Sequence, residues 1–225
     1  MPVFTPPIRK CIALVLAPMA LLLFAGTAGA DTGAVTGRVH FDLTPAPRVG
    51  DAYRGRTLKP VQPADEARAL VWLEREDGRY PPPDELADFD IAQQGYQFRP
   101  GIMAVRTGTR VHFPNHDDEF HSVFSYSQAR RFDLGRYRKD EEAPAVLFDQ
   151  PGIVKIYCEI HKHMRSVLMV LDSPWFTSTA TDGSYRLTGV PAGNYLLKAY
   201  LPDDRQFETT VAVTPDATTH QNLGE

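Results

Sequence analysis

Short alternations of apolar and polar residues run through most of the chain and predict an all-β protein. The segment from Gly33 to Phe41 alternates with the period of two that is typical of a β-strand, and residues 69–73 form a second, fully apolar strand. Nineteen prolines and sixteen glycines provide frequent turns between such strands. We find no long helical periodicity after residue 31.

The first thirty residues differ from the rest and predict a cleaved export signal. Arg9 and Lys10 form a basic start, the run from Cys11 to Phe24 is apolar, and small residues precede Asp31. The run is short for a bilayer span of roughly 20 residues. We therefore expect a periplasmic protein without a stable membrane span, although a membrane anchor is the alternative interpretation.

Cleavage would leave Cys158 as the single cysteine of the mature chain. A lone thiol in an oxidising compartment cannot form an internal disulfide. Metal ligation explains its presence better than packing does, although a buried hydrophobic cysteine is the alternative.

The stretch from Tyr157 to Arg165 has the spacing of a copper-binding loop, with Cys158, His161 and Met164 three residues apart. Two imidazoles and a thiolate, with a weak axial thioether, are the ligands of copper sites that transfer electrons. The stretch lacks one imidazole, and we expect His121 to supply it. The period of two before the cysteine places it on an apolar strand face, so its side chain should point inward.

Other ligand sets stay open at this point. His163 lies between His161 and Met164 and could replace either, and His116 lies in the same segment as His121. Zinc could also use a cysteine and two histidines, but the added Met164 favours copper.

Residues 90–171 resemble the small blue-copper proteins of the plastocyanin and amicyanin type, the cupredoxins. The resemblance includes His121-Ser122-Val123 and the Cys-x-x-His-x-x-Met loop, which is followed by Arg165 as in amicyanin. The family commonly has Asn where this chain has Ser122. The resemblance implies a Greek-key β-sandwich over 88–172 and one mononuclear type 1 copper centre. Its ligands would be His121, Cys158, His161 and Met164.

The two ends of the chain resemble a second family, the carboxypeptidase regulatory-like or transthyretin-like β-sandwich. Residues 181–187 and 189–195 carry its turn and strand pattern, and Gly33 to Val39 resembles its opening strand. We infer a discontinuous sandwich over 32–78 and 173–223, with the copper domain inserted in one loop. The stiff segment Pro81–Pro83 marks the boundary, and residues 45–63 read as an exposed loop. Alternatively, the first strands extend the copper domain and the tail is a small appendix.

The resemblance implies a one-electron carrier, not an enzyme, that serves a redox protein partner such as a cytochrome or a dehydrogenase. Such proteins are sometimes labelled methylamine-utilisation proteins, which would imply an amine dehydrogenase as donor. The acidic clusters 117–119 and 140–142 would be a docking surface for a basic partner, or simply solvated loops. The net charge of −4 argues against nucleic acid. A copper-delivery protein and an adhesive β-sandwich module with incidental copper are the alternative functions.

Overall fold

The fold is all-β, as the sequence predicts. The computed structural model describes residues 31–41, 65, 68–83 and 88–224, and every regular element in these ranges is one of seventeen strands. No helix in the described part of the chain is long and apolar enough to cross a membrane. The predicted export signal 1–30, with Cys11, and the predicted loop 45–63 lie outside the described residues.

Ten strands between residues 88 and 171 form a β-sandwich, called here the site sandwich. These are β3 (Asp88–Asp90), β4 (Ala92–Gln93), β5 (Phe98–Arg99), β6 (Ile102–Arg106), β7 (Thr109–His112), β8 (His121–Tyr126), β9 (Arg131–Tyr137), β10 (Ala145–Phe148), β11 (Gly152–Tyr157) and β12 (Arg165–Leu171). One sheet has the order β6-β12-β11-β8-β9 and the other has the order β10-β7-β3, while β4 pairs with β5 alone. Apolar side chains from both sheets, such as Val111, Phe148, Val154 and Leu168, share one core.

The pairing of three adjacent strands defines the functional end of the site sandwich. Antiparallel β11 and β12 pair from Gly152 opposite Val170 to Tyr157 opposite Arg165, and β8 lies antiparallel on the other side of β11. The start of β8 and the end of β11 therefore lie at the same end of the sheet. Residues 158–164, called here the ligand loop, connect β11 to β12 at this end.

The remaining strands come from both ends of the described chain and form a second sandwich. These are β1 (Thr32–Arg38), β2 (Leu70–Arg75), β13 (Phe176–Ser178), β14 (Ser184–Pro191), β15 (Gly193–Tyr200), β16 (Gln206–Val213) and β17 (Thr218–His220). The sheets have the orders β14-β1-β17 and β13-β2-β15-β16, and a common core lies between them. The bounds 32–78 and 173–223 for one domain and 88–172 for the other stay predictions, as does kinship with the transthyretin-like family.

Two glycines of β1 are required because neighbouring segments of the same chain pass very close to this strand. A Cβ atom on Gly33 would collide with the carbonyl oxygen of Thr214, and one on Gly37 would collide with that of Gln221. Only glycine allows this approach without moving the backbone. The opening motif is therefore a packing requirement of the second sandwich.

The two sandwiches pack against each other through a third apolar cluster. Leu70, Trp72 and Tyr200 of the second sandwich meet Met169 and Leu171 of the site sandwich. An ion pair between Lys155 and Asp204, at 2.7 Å, also joins the two. The sheets that contain β2 and β12 are thus covered on both faces.

Candidate metal centre

Three of the four predicted site residues converge at the functional end of the site sandwich. The potential ligand atoms of His121, Cys158 and His161 all lie within 4.8 Å of one another. The two Nδ1 atoms are 3.0 Å apart, and Cys158 Sγ is 3.9 Å from His161 Nδ1. The three residues are 0%, 4% and 7% exposed, so the donors are withdrawn from solvent.

The strand pattern explains why these residues meet. Val154, Ile156 and Cys158 are all buried, which follows from the period of two along β11. His121 is the first residue of β8 and lies beside the end of β11. The inward orientation predicted for Cys158 is confirmed by its burial.

The ligand loop folds tightly around the cysteine sulfur. The His161 N–H donates to Cys158 Sγ at 3.5 Å, and the Met164 N–H donates to the His161 carbonyl at 2.9 Å. Met164 is fully buried in the same core as Cys158. Its role as an axial ligand stays a prediction.

The electrostatics of the cluster favour a cysteine thiolate. Burial raises the pKa of the Cys158 thiol, but hydrogen bonds with His121 and His161 and from backbone N–H groups outweigh burial and lower it to about 5. The thiolate is the form of cysteine that binds metals. Burial lowers the pKa of His121, whereas its hydrogen bond with Asp117 and the nearby thiolate raise it, and the net direction is upward.

Asp117 belongs to the site, and the sequence analysis did not identify it as such. Its Oδ2 lies 2.9 Å from His121 Nε2, and its carboxylate also accepts the N–H groups of Gly95 at 2.8 Å and Tyr96 at 2.9 Å. The side chain is 13% exposed. Neither interpretation of the acidic cluster 117–119 therefore holds for this residue, whereas Asp118 and Glu119 are exposed.

Ser122 connects the two ligand segments by a hydrogen bond. Its hydroxyl accepts the Glu159 N–H at 2.8 Å, which joins β8 to the ligand loop directly after the cysteine. Ser122 is 2% exposed. The Ser122 side chain thus holds the start of β8 to the ligand loop.

The two alternative histidines lie outside the three-residue cluster. His116 is exposed. The sequence interpretation placed His163 pointing outward, and this is wrong: its Nε2 lies 3.0 Å from the Tyr96 carbonyl oxygen and the residue is half-buried. The carbonyl oxygen of Tyr96 thus contacts His163, while the Tyr96 ring lies edge-on to both imidazoles of the cluster.

The geometry of the cluster suits a single bound metal ion. Nitrogen and sulfur ligands lie about 2.0–2.3 Å from a bound zinc ion, so two nitrogens on one ion of that size are at most about 4 Å apart. The Nδ1 atoms of His121 and His161, at 3.0 Å, satisfy that limit. One thiolate with two imidazoles is a donor set for copper or zinc.

No protein-family model matches this chain, and no curated protein matches it. Among solved structures, it is similar to a copper-containing nitrite reductase from Thermus scotoductus SA-01, with 22% identity and a TM-score of 0.36 over 39% of this chain and 23% of that one. It is also similar to amicyanin from Paracoccus versutus, with 20% identity and a TM-score of 0.34 over 40% and 84% of the two chains.

A third similar structure is a purple cupredoxin from Nitrosopumilus maritimus, with 20% identity and a TM-score of 0.33 over 38% of this chain and 99% of that one. The chain thus spans about a quarter of the length of the nitrite reductase. Identities and TM-scores this low assign no function to this chain.

Proposed function

We propose that the protein is a periplasmic blue-copper protein that carries single electrons between redox partners. The convergence of one buried thiolate and two buried imidazoles at the end of a β-sandwich supports this function. His121, Cys158 and His161 would be the strong ligands and Met164 the axial one. Copper bound by such a set supplies a one-electron couple.

The chain's own residues favour copper over zinc and retention over release. Met164, a soft thioether donor, is fully buried beside Cys158, and a thioether suits copper better than zinc. The three strong donors are at most 7% exposed, and the backbone bonds of the ligand loop restrict their movement. A delivery protein would need easier access to its cargo, so we place electron transfer first.

The partner is proposed to be a redox protein, such as a cytochrome or a dehydrogenase, and we propose no catalytic reaction for this chain. His161 is the most exposed of the three strong donors, and we propose that electrons enter and leave through the surface around it. The exposed carboxylates of Asp118 and Glu119 lie beside the first ligand. They would favour the encounter with a basic partner more than they would add affinity.

The visible spectrum of the copper(II)-loaded protein tests the proposal. We expect an intense blue absorption, because a thiolate bound to copper(II) would give it, and Cys158→Ser should abolish it. His121→Gln should also abolish it, whereas His116→Gln, an exposed histidine in the same segment, should leave it unchanged. A colourless wild-type protein, or equal colour in Cys158→Ser, would rule out the thiolate site.

A reversible redox wave and slow loss of copper to a chelator would then separate a carrier from a delivery protein. If the protein is an electron carrier, we expect most of the copper to stay bound during the chelator challenge. Rapid and complete transfer of copper to the chelator would favour delivery and refute the carrier.

A further inference from the structure

We propose that Asp117 is a positioning residue that fixes the tautomer and the orientation of His121, so that its Nδ1 lone pair points into the metal cluster. The copper-dependent consequences rest on the proposed function. The assignment of the tautomer does not rest on the proposed function, because it concerns the metal-free protein. The two ring nitrogens of His121 contact different partners, Asp117 on one side and His161 on the other.

The neutral imidazole of His121 carries a single proton on its ring nitrogens. Asp117 Oδ2 lies 2.9 Å from His121 Nε2, and His121 Nδ1 lies 3.0 Å from His161 Nδ1. An ionised carboxylate only accepts hydrogen bonds, so the proton between the first two atoms belongs to Nε2. Nδ1 then carries the lone pair, which is the form required of a metal ligand.

The Asp117 carboxylate is itself held by several hydrogen bonds. Besides His121, it accepts the backbone N–H groups of Gly95 and Tyr96, and the Asp117 N–H donates to Asn115 Oδ1 at 2.9 Å. The three hydrogen bonds to the carboxylate restrict rotation of the side chain, and the bond from the backbone N–H restricts the segment that carries it. A ligand histidine held by a fixed carboxylate has both its ring direction and its basicity set by that group.

Both ligand segments are connected to this carboxylate. Tyr96, whose N–H the carboxylate accepts, has its ring 5.8 Å from that of His121 and 5.0 Å from that of His161. Its carbonyl oxygen contacts His163 of the ligand loop at 3.0 Å. Asp117 therefore holds His121 directly and braces the ligand loop through Tyr96.

Removing the carboxylate charge should change the metal-bound state in a specific way. Loss of such a partner typically costs roughly 10–100-fold in metal affinity, and we expect a loss in that range for copper(II) in Asp117→Asn. The reduction potential should rise, because the carboxylate's negative charge stabilises copper(II) relative to copper(I) and the variant lacks that charge. A residue with only a structural role would lower stability without shifting the potential.

The first measurement uses the metal-free wild-type protein and needs no variant. Two-bond proton–nitrogen correlation spectra report which ring nitrogen carries the proton, at a pH alkaline enough for the imidazoles to be neutral. We expect the Nε2–H form for His121 in the wild type and a mixture of forms in Asp117→Asn. An Nδ1–H form in the wild type would overturn the proposal even if the variant did not fold.

The matched control is Asp118→Asn, which removes the same charge from the neighbouring residue. Asp118 is exposed and paired with Lys139. Its loss should leave the tautomer, the copper(II) affinity and the potential close to their wild-type values. Equal shifts in both variants would show a general charge effect and refute a specific role for Asp117. A wild type with the Nε2–H form that binds no copper would refute the proposed function but not this inference.

Discussion

Replacing Ser122 by alanine should loosen the connection between the two ligand segments. The hydroxyl is buried and accepts the Glu159 N–H at 2.8 Å. This bond joins the second residue of β8 to the residue that follows Cys158. Ser122→Ala removes one oxygen atom without adding volume, so its effect reports the hydrogen bond alone.

The bond itself sets the expected magnitude. A typical intramolecular hydrogen bond contributes about 0.5–1.5 kcal/mol net, and a buried donor left unpaired costs about 1–3 kcal/mol. The bond is partly buried, so we expect a loss of about 1–1.5 kcal/mol in the free energy of unfolding, which is where those two ranges overlap. If the same loss acts on the metal-bound loop, copper release becomes faster by up to about tenfold, since 1.4 kcal/mol corresponds to that factor.

Urea unfolding of the metal-free protein and copper loss to a chelator measure the two effects. Ser125→Ala is the matched control, because Ser125 lies on the same strand, is fully buried and accepts the Ser127 N–H at 3.1 Å. It should lower stability to a similar extent and leave copper release unchanged. The reasoning fails if Ser122→Ala stays within about 0.5 kcal/mol of wild type, as surface substitutions do. It also fails if Ser125→Ala speeds release equally.

Two further predictions concern the contact between the sandwiches. Met169→Ala should lower the free energy of unfolding, measured in urea, by about 2–5 kcal/mol. The control Leu168→Ala, on the opposite face of β12, should lower it by a similar amount. If only Met169→Ala costs less than about 0.5 kcal/mol, the face of β12 that carries Met169 is not packed. Asp204→Asn should lower stability at neutral pH. Hydrogen bonds with Lys155 and Tyr200 lower the pKa of the Asp204 carboxyl in the folded protein. The carboxylate therefore stabilises the fold at pH values above its ordinary pKa, and this stabilisation is lost as the pH falls through the lowered pKa of the folded state. An effect that persists below that pH would contradict this linkage.

The local sequence pattern was sufficient to predict the positions of site residues that lie at a strand end or within the short ligand loop. The period of two leads to a buried Cys158, and the short spacing within the ligand loop brings His161 beside it. His121 was predicted from the missing imidazole and the motif His121-Ser122-Val123, because the period of two gives no indication that this residue is a ligand. The apolar run 69–73 correctly indicated a strand, and the all-β class followed from the same alternations.

The parts that the sequence did not reveal depend on contacts between distant segments. Asp117 stands in an acidic run, and its inward orientation is fixed by Asn115 and by the turn at Gly95 and Tyr96, some twenty residues earlier. The direction of His163 depends on the same turn. Composition and spacing carry no information on such a turn, in which both residues have positive φ angles.

The second sandwich affects the site because it covers the outer face of the site sheet. Along β12, Leu168 and Val170 point into the site core, while Met169 and Leu171 point into the contact between the sandwiches. A strand packed on both faces has little freedom to bend, since interiors are close-packed. The ligand loop is therefore anchored at its C-terminal end on a strand that the second sandwich helps to hold. Any substitution that loosens this contact should also disturb the cluster of His121, Cys158 and His161 through β12, even though it lies outside the ligand loop.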